Sequence, residues 1–373
     1  MTLVTTDRSD DRVELFVPGR LCLFGEHSDW AAQFGLATGY CLVIGTDQGL
    51  RATVAKAADF RIDTALPTDG GDRPSRHRAM RAAWDSESLR EAAEDHGEFF
   101  RYCAGVAYVI KQRFDVGGLD LRIHRMDLPL KKGVSSSAAV CVLVASAFDR
   151  VYDLGLFPHE IMELAYRGER RTGSRCGRMD QACFFGKTPV LLTFGADDQI
   201  RVEPIFPSAA VSMLLVDLAG RKDTIRILAD LRQAYPDSPS LQDALGAANE
   251  RMVRRAYRAL SAGDAETLGA CMTEAQALFD RQVAPHSPDE LASPLLHEVL
   301  ALEAIQPHIH GGKGVGSQGD GTAQLVLREP ADAAAVAQVL QERFPDMRCF
   351  GLSIVPAGAV QQADAWTTTP VKP

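Results

Sequence analysis

The order of strand and helix signals changes near Ser208, and that change points to two α+β units in one chain. Upstream, alternating apolar residues predict a strand over 13–17 that enters a loop at Pro18-Gly19. Further strands are expected over 42–44, 50–54, 60–64 and 119–123, with a hairpin joining 190–194 to 200–205. Helical spacing covers 100–114, 136–152 and 158–170, the last opened by Pro158. Residues 65–98 begin polar and then turn helical, the pattern of a surface insertion. Downstream come a strand over 211–216 and helices near 223–235, 240–261, 264–280 and 290–306. A glycine loop over 311–321, a strand over 322–327, a helix over 331–343 and a strand over 349–355 follow. The tail beyond 359 is expected to fray. At 373 residues the chain is long for one core and suits two domains, expected as 1–205 and 206–373. With no low-complexity linker between them, the two are expected to share an interface, and the crevice there is a natural ligand site.

Charge and composition narrow the partners. Forty Lys and Arg stand against 49 Asp and Glu, a net of −9 with no polybasic block. That balance argues against nucleic acid or an anionic membrane as the main partner, but leaves an anionic substrate open. The start, MTLVTTDRSDDR, lacks the pattern of a signal peptide, and no run reaches about 18 apolar residues. A soluble, cytoplasmic protein is the expectation. The eight cysteines (22, 41, 103, 141, 176, 183, 271 and 349) are scattered without a CxxC pair, so reduced thiols are expected. His308 and His310 form an HxH that reads as a turn into the glycine loop rather than a metal site.

Two glycine patterns fail on context. Residues 314–319 match GxGxxG, but a helical stretch is expected before them and a strand after, the reverse of a dinucleotide site. Gly186-Lys187-Thr188 resembles the end of a phosphate loop, yet Gln181 stands where that motif requires glycine. Three other segments carry more. PLKKGVSSSAAV, residues 129–140, runs a glycine and three serines into an apolar helix. Free backbone N–H groups at such a helix start, aided by its dipole, bind anions; the alternative is an ordinary serine-capped helix. PGRLCLFGEHSDW, residues 18–30, gathers Arg20, Glu26, His27 and Asp29 in what reads as one turn, suited to sugar hydroxyls or simply solvated. CGRMDQ, residues 176–181, sets Asp180 among apolar residues, where a carboxylate needs a partner.

Together with GGKGVGSQGDGTAQLVL at 311–327, these segments resemble the GHMP kinase superfamily, and its galactokinase branch above all. They follow the family's order and span residues 17 to 327. The resemblance implies a two-domain α+β fold, with a half like ribosomal protein S5 followed by a ferredoxin-like half. It implies an ATP-dependent sugar 1-kinase using magnesium. Asp180 would be the base or hydroxyl-orienting group and Arg20 its charge partner. Glu26, His27 and Asp29 would hold sugar hydroxyls, with Gly177 and Arg178 beside the substrate. Lys131, Lys132, Gly133, Val134, Ser135, Ser136, Ser137 and Ala138 would surround ATP, and Ser137 and Glu169 would hold magnesium. Gly314, Gly316 and Gly319 would let the third loop close over the reactants. The partner is a small sugar or sugar phosphate, and the assembly a monomer or homodimer.

Departures from the pattern matter. Lys131 and Lys132 replace small residues, and Asp320 replaces a frequent glycine. Arg178 stands where an apolar residue is usual and joins Arg170, Arg171 and Arg175 in a basic cluster. That cluster is either a solvated helix end or a site for an anionic group on the substrate. Two other activities stay open: a kinase of a non-sugar alcohol, and a catalytically silent sugar and ATP sensor.

Overall fold

The computed structural model describes residues 12–66, 76–126, 136–174, 176–195 and 200–356. Seven strands make the first sheet: β1 (Val13–Phe24), β2 (Gly39–Ala57), β3 (Phe60–Leu66), β4 (Arg76–Ala82), β5 (Gly118–Met126), β6 (Val190–Phe194) and β7 (Ile200–Pro204). Their order is β4-β3-β5-β2-β6-β7, with β1 paired to β2. Only the β3–β5 pairing is parallel among those described. Around this sheet lie α1 (Ser28–Ala31), α2 (Ser86–Glu94), α3 (Arg101–Arg113), α4 (Ser136–Tyr152) and α5 (Pro158–Arg171).

Strands β8 (Val211–Asp217), β9 (Ile309–Gly314), β10 (Thr322–Leu327) and β11 (Arg348–Ile354) form a second, antiparallel sheet in the order β11-β8-β10-β9. Helices α6 (Thr224–Ala234), α7 (Pro239–Leu245), α8 (Ala247–Ala262), α9 (Ala265–Gln282), α10 (Pro288–Leu291), α11 (Pro294–Ala301) and α12 (Asp332–Arg343) accompany it. The alternation of β8 serves two cores. Met213 and Leu215 pack with α8, α9 and the first sheet's Leu21, Leu23, Leu42 and Ile44, whereas Leu214 and Val216 face α11 and α12. The sheets therefore share a core. Among the described residues no helix is long and apolar enough to cross a membrane.

Several boundaries differ from the sequence expectation for physical reasons. β1 does not stop at Pro18. A register shift between Pro18 and Arg20 absorbs the proline, and the strand continues to Phe24. The expected strands 42–44 and 50–54 are one long β2, which pairs with β6 through its first residues and β5 through its last. Residues 76–94 are no surface insertion. β4 pairs with β3, and Leu89 and Ala93 of α2 enter the main core. The expected helix 240–261 breaks at Gly246, and 290–306 breaks at Ser293, a left-handed residue (φ 51) before Pro294. The stretch before Gly314 is strand β9, not helix. All eight cysteines are unbridged, six of them buried.

Candidate active site

β1 delivers Arg20 into the interior at 3% exposure, where it ion-pairs with Asp180. Asp180 opens a short 3₁₀ turn, Asp180–Phe185. Beyond Phe24 the chain turns through Gly25 at φ 94, pressed so closely on Tyr40 that a side chain there would collide with its carbonyl. Ser28 fastens the turn: its hydroxyl donates to the Gly25 carbonyl at 2.9 Å, and Tyr40 N donates to it at 3.2 Å. Asp29 thereby meets the 177–179 segment. Its Oδ2 accepts from Met179 N at 3.3 Å, and a Cβ at Gly177 would collide with its carboxylate. Arg20, Asp29, Gly177 and Asp180 are brought together.

A second pair joins them from the helices. Ser137, in the first turn of α4, donates to Glu169 Oε1 at 2.8 Å, and Gln181 donates to Glu169 Oε2 at 3.2 Å. Burial and the charge of Asp180 raise the Glu169 carboxyl to about 7, against the hydrogen bonds from Ser137 and Gln181. Burial and Asp180 also push Asp29 upward. Burial opposes the Arg20 charge, but Asp180, with Cys22 and Asp29, outweighs it and holds that pKa above its ordinary value. One guanidinium thus serves a compact group of carboxylates.

The rest of the 18–30 segment faces another way. Glu26 forms a buried ion pair with Lys313 of β9. His27, left-handed at φ 69, accepts from Trp30 Nε1 at 3.1 Å and stacks on Phe279. Burial, then Lys222, Arg232 and Lys313, lower its pKa to about 3 despite an opposing contribution from the Ser317 backbone. The expected trio of hydroxyl-holding residues is therefore split: Asp29 sits with Asp180, while Glu26 and His27 lie against the second half of the chain.

The third glycine loop runs from β9 into β10 as an antiparallel hairpin, with Gly316 and Gly319 at positive φ. The dinucleotide reading still fails, because this loop returns as a strand rather than opening a helix. Gly314 is fixed by side chains the sequence reading missed. Its N–H donates to Gln276 Oε1 at 2.7 Å, and its carbonyl accepts from Lys313 at 2.9 Å and Gln324 at 3.4 Å. Gln324 also donates to the Cys22 carbonyl at 2.9 Å, tying β10 to β1. Lysine between glycines and glutamine inside an apolar strand were the available signals, since both types are buried mainly when paired.

Arg178 donates to Glu163 at 2.7 Å and lies 4.3 Å from the centre of the Tyr166 ring. Arg171 bonds Glu94 at 2.8 Å, Arg170 is exposed, and Arg175 lies outside the described residues. Arg171 and Arg178 thus have separate acidic partners. Lys131, Lys132, Gly133, Val134 and Ser135 also lie outside the described residues; Ser136 begins α4, and Ala138 is buried. Asp320 accepts from Leu296 N at 2.9 Å, and its backbone packs against Gly220. Gly186 accepts from Gly45 N at 2.7 Å and Lys187 pairs with Asp47, both structural roles. His308 is bonded to Asp332 at 2.7 Å. Among the described residues no group of three or more His, Cys, Asp or Glu is placed to hold a metal.

Comparison with known proteins shows what this chain is similar to. The family model described as "GHMP kinases N terminal domain" matches residues 101–187, which carry α4, Glu169 and Asp180. A galactokinase of Roseiflexus sp. (strain RS-1) is 28% identical over 307 residues, covering 73% of this chain and 74% of the relative. A mevalonate kinase of Methanothermobacter thermautotrophicus is 23% identical, covering 89% of this chain and 95% of its own length. Among solved structures, Lactococcus lactis galactokinase complexed with galactose superposes with a TM-score of 0.71 at 18% identity, covering 93% of this chain and 94% of that one. Residues 101–187 thus match a GHMP kinase N-terminal domain, and the chain is galactokinase-like in sequence and shares its fold with solved kinases of that type.

Proposed function

We propose that the chain transfers the γ-phosphate of ATP to the anomeric 1-hydroxyl of a neutral monosaccharide. The observation that carries this reading is the Arg20–Asp180 pair, a buried guanidinium on a partly exposed carboxylate, set beside Asp29 and next to Ser137 and Glu169. Phosphoryl transfer has a loose transition state, so catalysis rests on positioning and charge. Asp180 orients the acceptor hydroxyl and takes its proton, and Arg20 fixes the carboxylate and offsets charge that develops beside it. Asp29 holds Met179, and hence Asp180, in place. The first turn of α4, 17 residues long, directs backbone N–H groups and its positive end toward the triphosphate.

Ser137 and Glu169 supply only oxygens, which suits magnesium bound through one carboxylate with phosphate and water completing its shell. Magnesium there would neutralise phosphate charge. With Arg178 bonded to Glu163, the geometry favours a neutral sugar over a phosphorylated one. A non-sugar alcohol is the second reading, supported by the long alignment with a mevalonate kinase. Free sugars, uronates, sugar phosphates and mevalonate, assayed for ADP release with the product's phosphate located by NMR, separate the two. Phosphate on the anomeric oxygen is expected; turnover of mevalonate alone overturns the reading. Asp180→Asn should lower turnover at least about 10³-fold while leaving ATP binding nearly unchanged. Retained turnover would show that Asp180 has no catalytic role.

A further inference from the structure

Consecutive residues from Arg178 to Gln181 are held by different anchors. Arg178 Nη1 donates to Glu163 of α5 at 2.7 Å, and its guanidinium lies 4.3 Å from the centre of the Tyr166 ring on the same helix. Met179 is buried in a cluster with Met162 of α5, and its N–H goes to Asp29. Asp180 pairs with Arg20 of β1, and the buried Gln181 donates to Glu169 Oε2 at 3.2 Å. Asp180 is thus bracketed by bonds to α5. Glu163 and Tyr166 hold the residue two before it, and Glu169 holds the residue after it.

Glu163, Tyr166 and Glu169 follow one another at helical i, i+3 spacing, so they lie along one strip of α5. The helix is a rigid reference. Ile161, Met162, Leu164, Ala165 and Gly168 are buried, and a Cβ at Gly168 would come within 2.4 Å of Val106 of α3. With no slack in that packing, α5 cannot follow a shift of the segment it holds. Glu163 is itself oriented, because Arg167 takes its Oε1 at 2.5 Å while Oε2 accepts from Arg178. The Arg178 side chain is only 11% exposed. A lone surface ion pair would be weak, but this guanidinium is fixed at its edge by a carboxylate and at its face by a ring. A head group committed in this way serves the protein rather than a ligand.

We propose that Arg178 is a positioning residue: through Glu163 and Tyr166 it fixes the 177–181 segment on α5, keeps Asp180 aligned with the acceptor hydroxyl, and touches no substrate. The proposal rests on the phosphoryl-transfer reading with Asp180 at its centre, but not on which alcohol is phosphorylated. Loss of the anchor should act on the barrier rather than on binding, because a displaced Asp180 weakens the transition state while ATP and the acceptor keep their own contacts.

Arg178→Met keeps an unbranched apolar stem without the charge, Glu163→Gln removes the ion pair, and Tyr166→Phe and Tyr166→Leu respectively keep and remove the ring. Kinetics are taken on the best acceptor from the panel above. Arg178→Met should lower kcat about 10- to 100-fold, with KM for acceptor and for ATP within about twofold of the wild type. Tyr166→Phe should retain kcat and Tyr166→Leu should lose part of it. Glu163→Gln combined with Arg178→Met should be no slower than Arg178→Met alone, since both cut one link. Amide hydrogen exchange over 176–181 should quicken in Arg178→Met and stay unchanged in Tyr166→Phe. Where Arg178→Met does not fold, Glu163→Gln and Tyr166→Leu carry the same expectations. Wild-type kcat in Arg178→Met, or additive losses in the double variant, overturns the proposal. A raised KM for acceptor with kcat unchanged also overturns it, by making Arg178 a substrate contact. If mevalonate is turned over and no sugar is, the sugar reading falls and this proposal is decided on mevalonate. A wild type that phosphorylates no acceptor overturns both.

Discussion

Gly177 shows how tightly the candidate site is built at the scale of one residue. A methyl group there would collide with the Asp29 carboxylate, which in turn holds Met179 N. Gly177→Ala should therefore displace Asp180 and lower kcat about 10²-fold, with far-UV circular dichroism unchanged. Wild-type kcat in that variant would show that the contact positions nothing. His27 gives a pH prediction. Its pKa falls from 6.5 to about 3 on folding, so between those values the unfolded chain binds a proton that the folded chain refuses. Its contribution to stability is complete above pH 6.5 and is lost as pH falls toward 3, by up to about 1.4 kcal/mol per pH unit. Urea unfolding of the wild type and His27→Gln should show the wild type losing stability faster between pH 6.5 and 4.5. Parallel curves would mean that His27 is not held neutral. Sequence reading reached Arg20, Asp29, Ser137 and Asp180 because each sits in a local motif, whereas Glu169 came only from the family resemblance. It could not sort Glu26 and His27 from Asp29, because which side of a turn a residue faces depends on the backbone angles at Gly25 and His27.

At the scale of elements, the decisive contacts cross from β9 and β10 to β1. Glu26 and Lys313 are 287 residues apart, so no local pattern announces their pair. Gln324 and Cys22 are likewise distant in sequence. What was legible was the existence of most helices and strands; strands β4 and β9, the proline-absorbing bulge in β1 and the unbroken β2 were hidden because tertiary pairing overrides local signals. The pair also predicts an energy. Lys313→Met would leave Glu26 charged and buried without its partner, costing about 3–5 kcal/mol. Lys313→Met with Glu26→Gln should recover much of that loss, because the uncompensated charge is gone. Chemical denaturation of both single variants and the double variant measures the coupling, and strictly additive losses would show that the pair is not coupled.

For the whole molecule, the proposed division at 205/206 separates two sheets but not two cores. Leu21, Leu23, Phe24, Leu42, Ile44 and Leu191 come from the first part; Val211, Met213, Leu215, Val253 and Leu260 come from the second, and all belong to one cluster. Covering that interface removes apolar surface from both sheets at roughly 25 cal/mol per Å², so each part lacks stability the other provides. Two independent transitions would require a boundary with little buried across it, and the boundary here carries a core, a buried ion pair and the Gln324–Cys22 bond. The chain should therefore unfold in one step, with the fluorescence of a variant that keeps Trp30 as its single tryptophan and far-UV circular dichroism giving the same denaturation midpoint. Trp30 reports on the seam, since its cluster joins Ala31 of the first part to Ile227, Tyr235 and Phe279 of the second. The segment 206–373 expressed alone should expose the Met213 and Leu215 face, bind a hydrophobic dye and aggregate; co-expression with 1–205 should suppress both. A soluble, cooperatively folding 206–373 would show that the second core closes without the first.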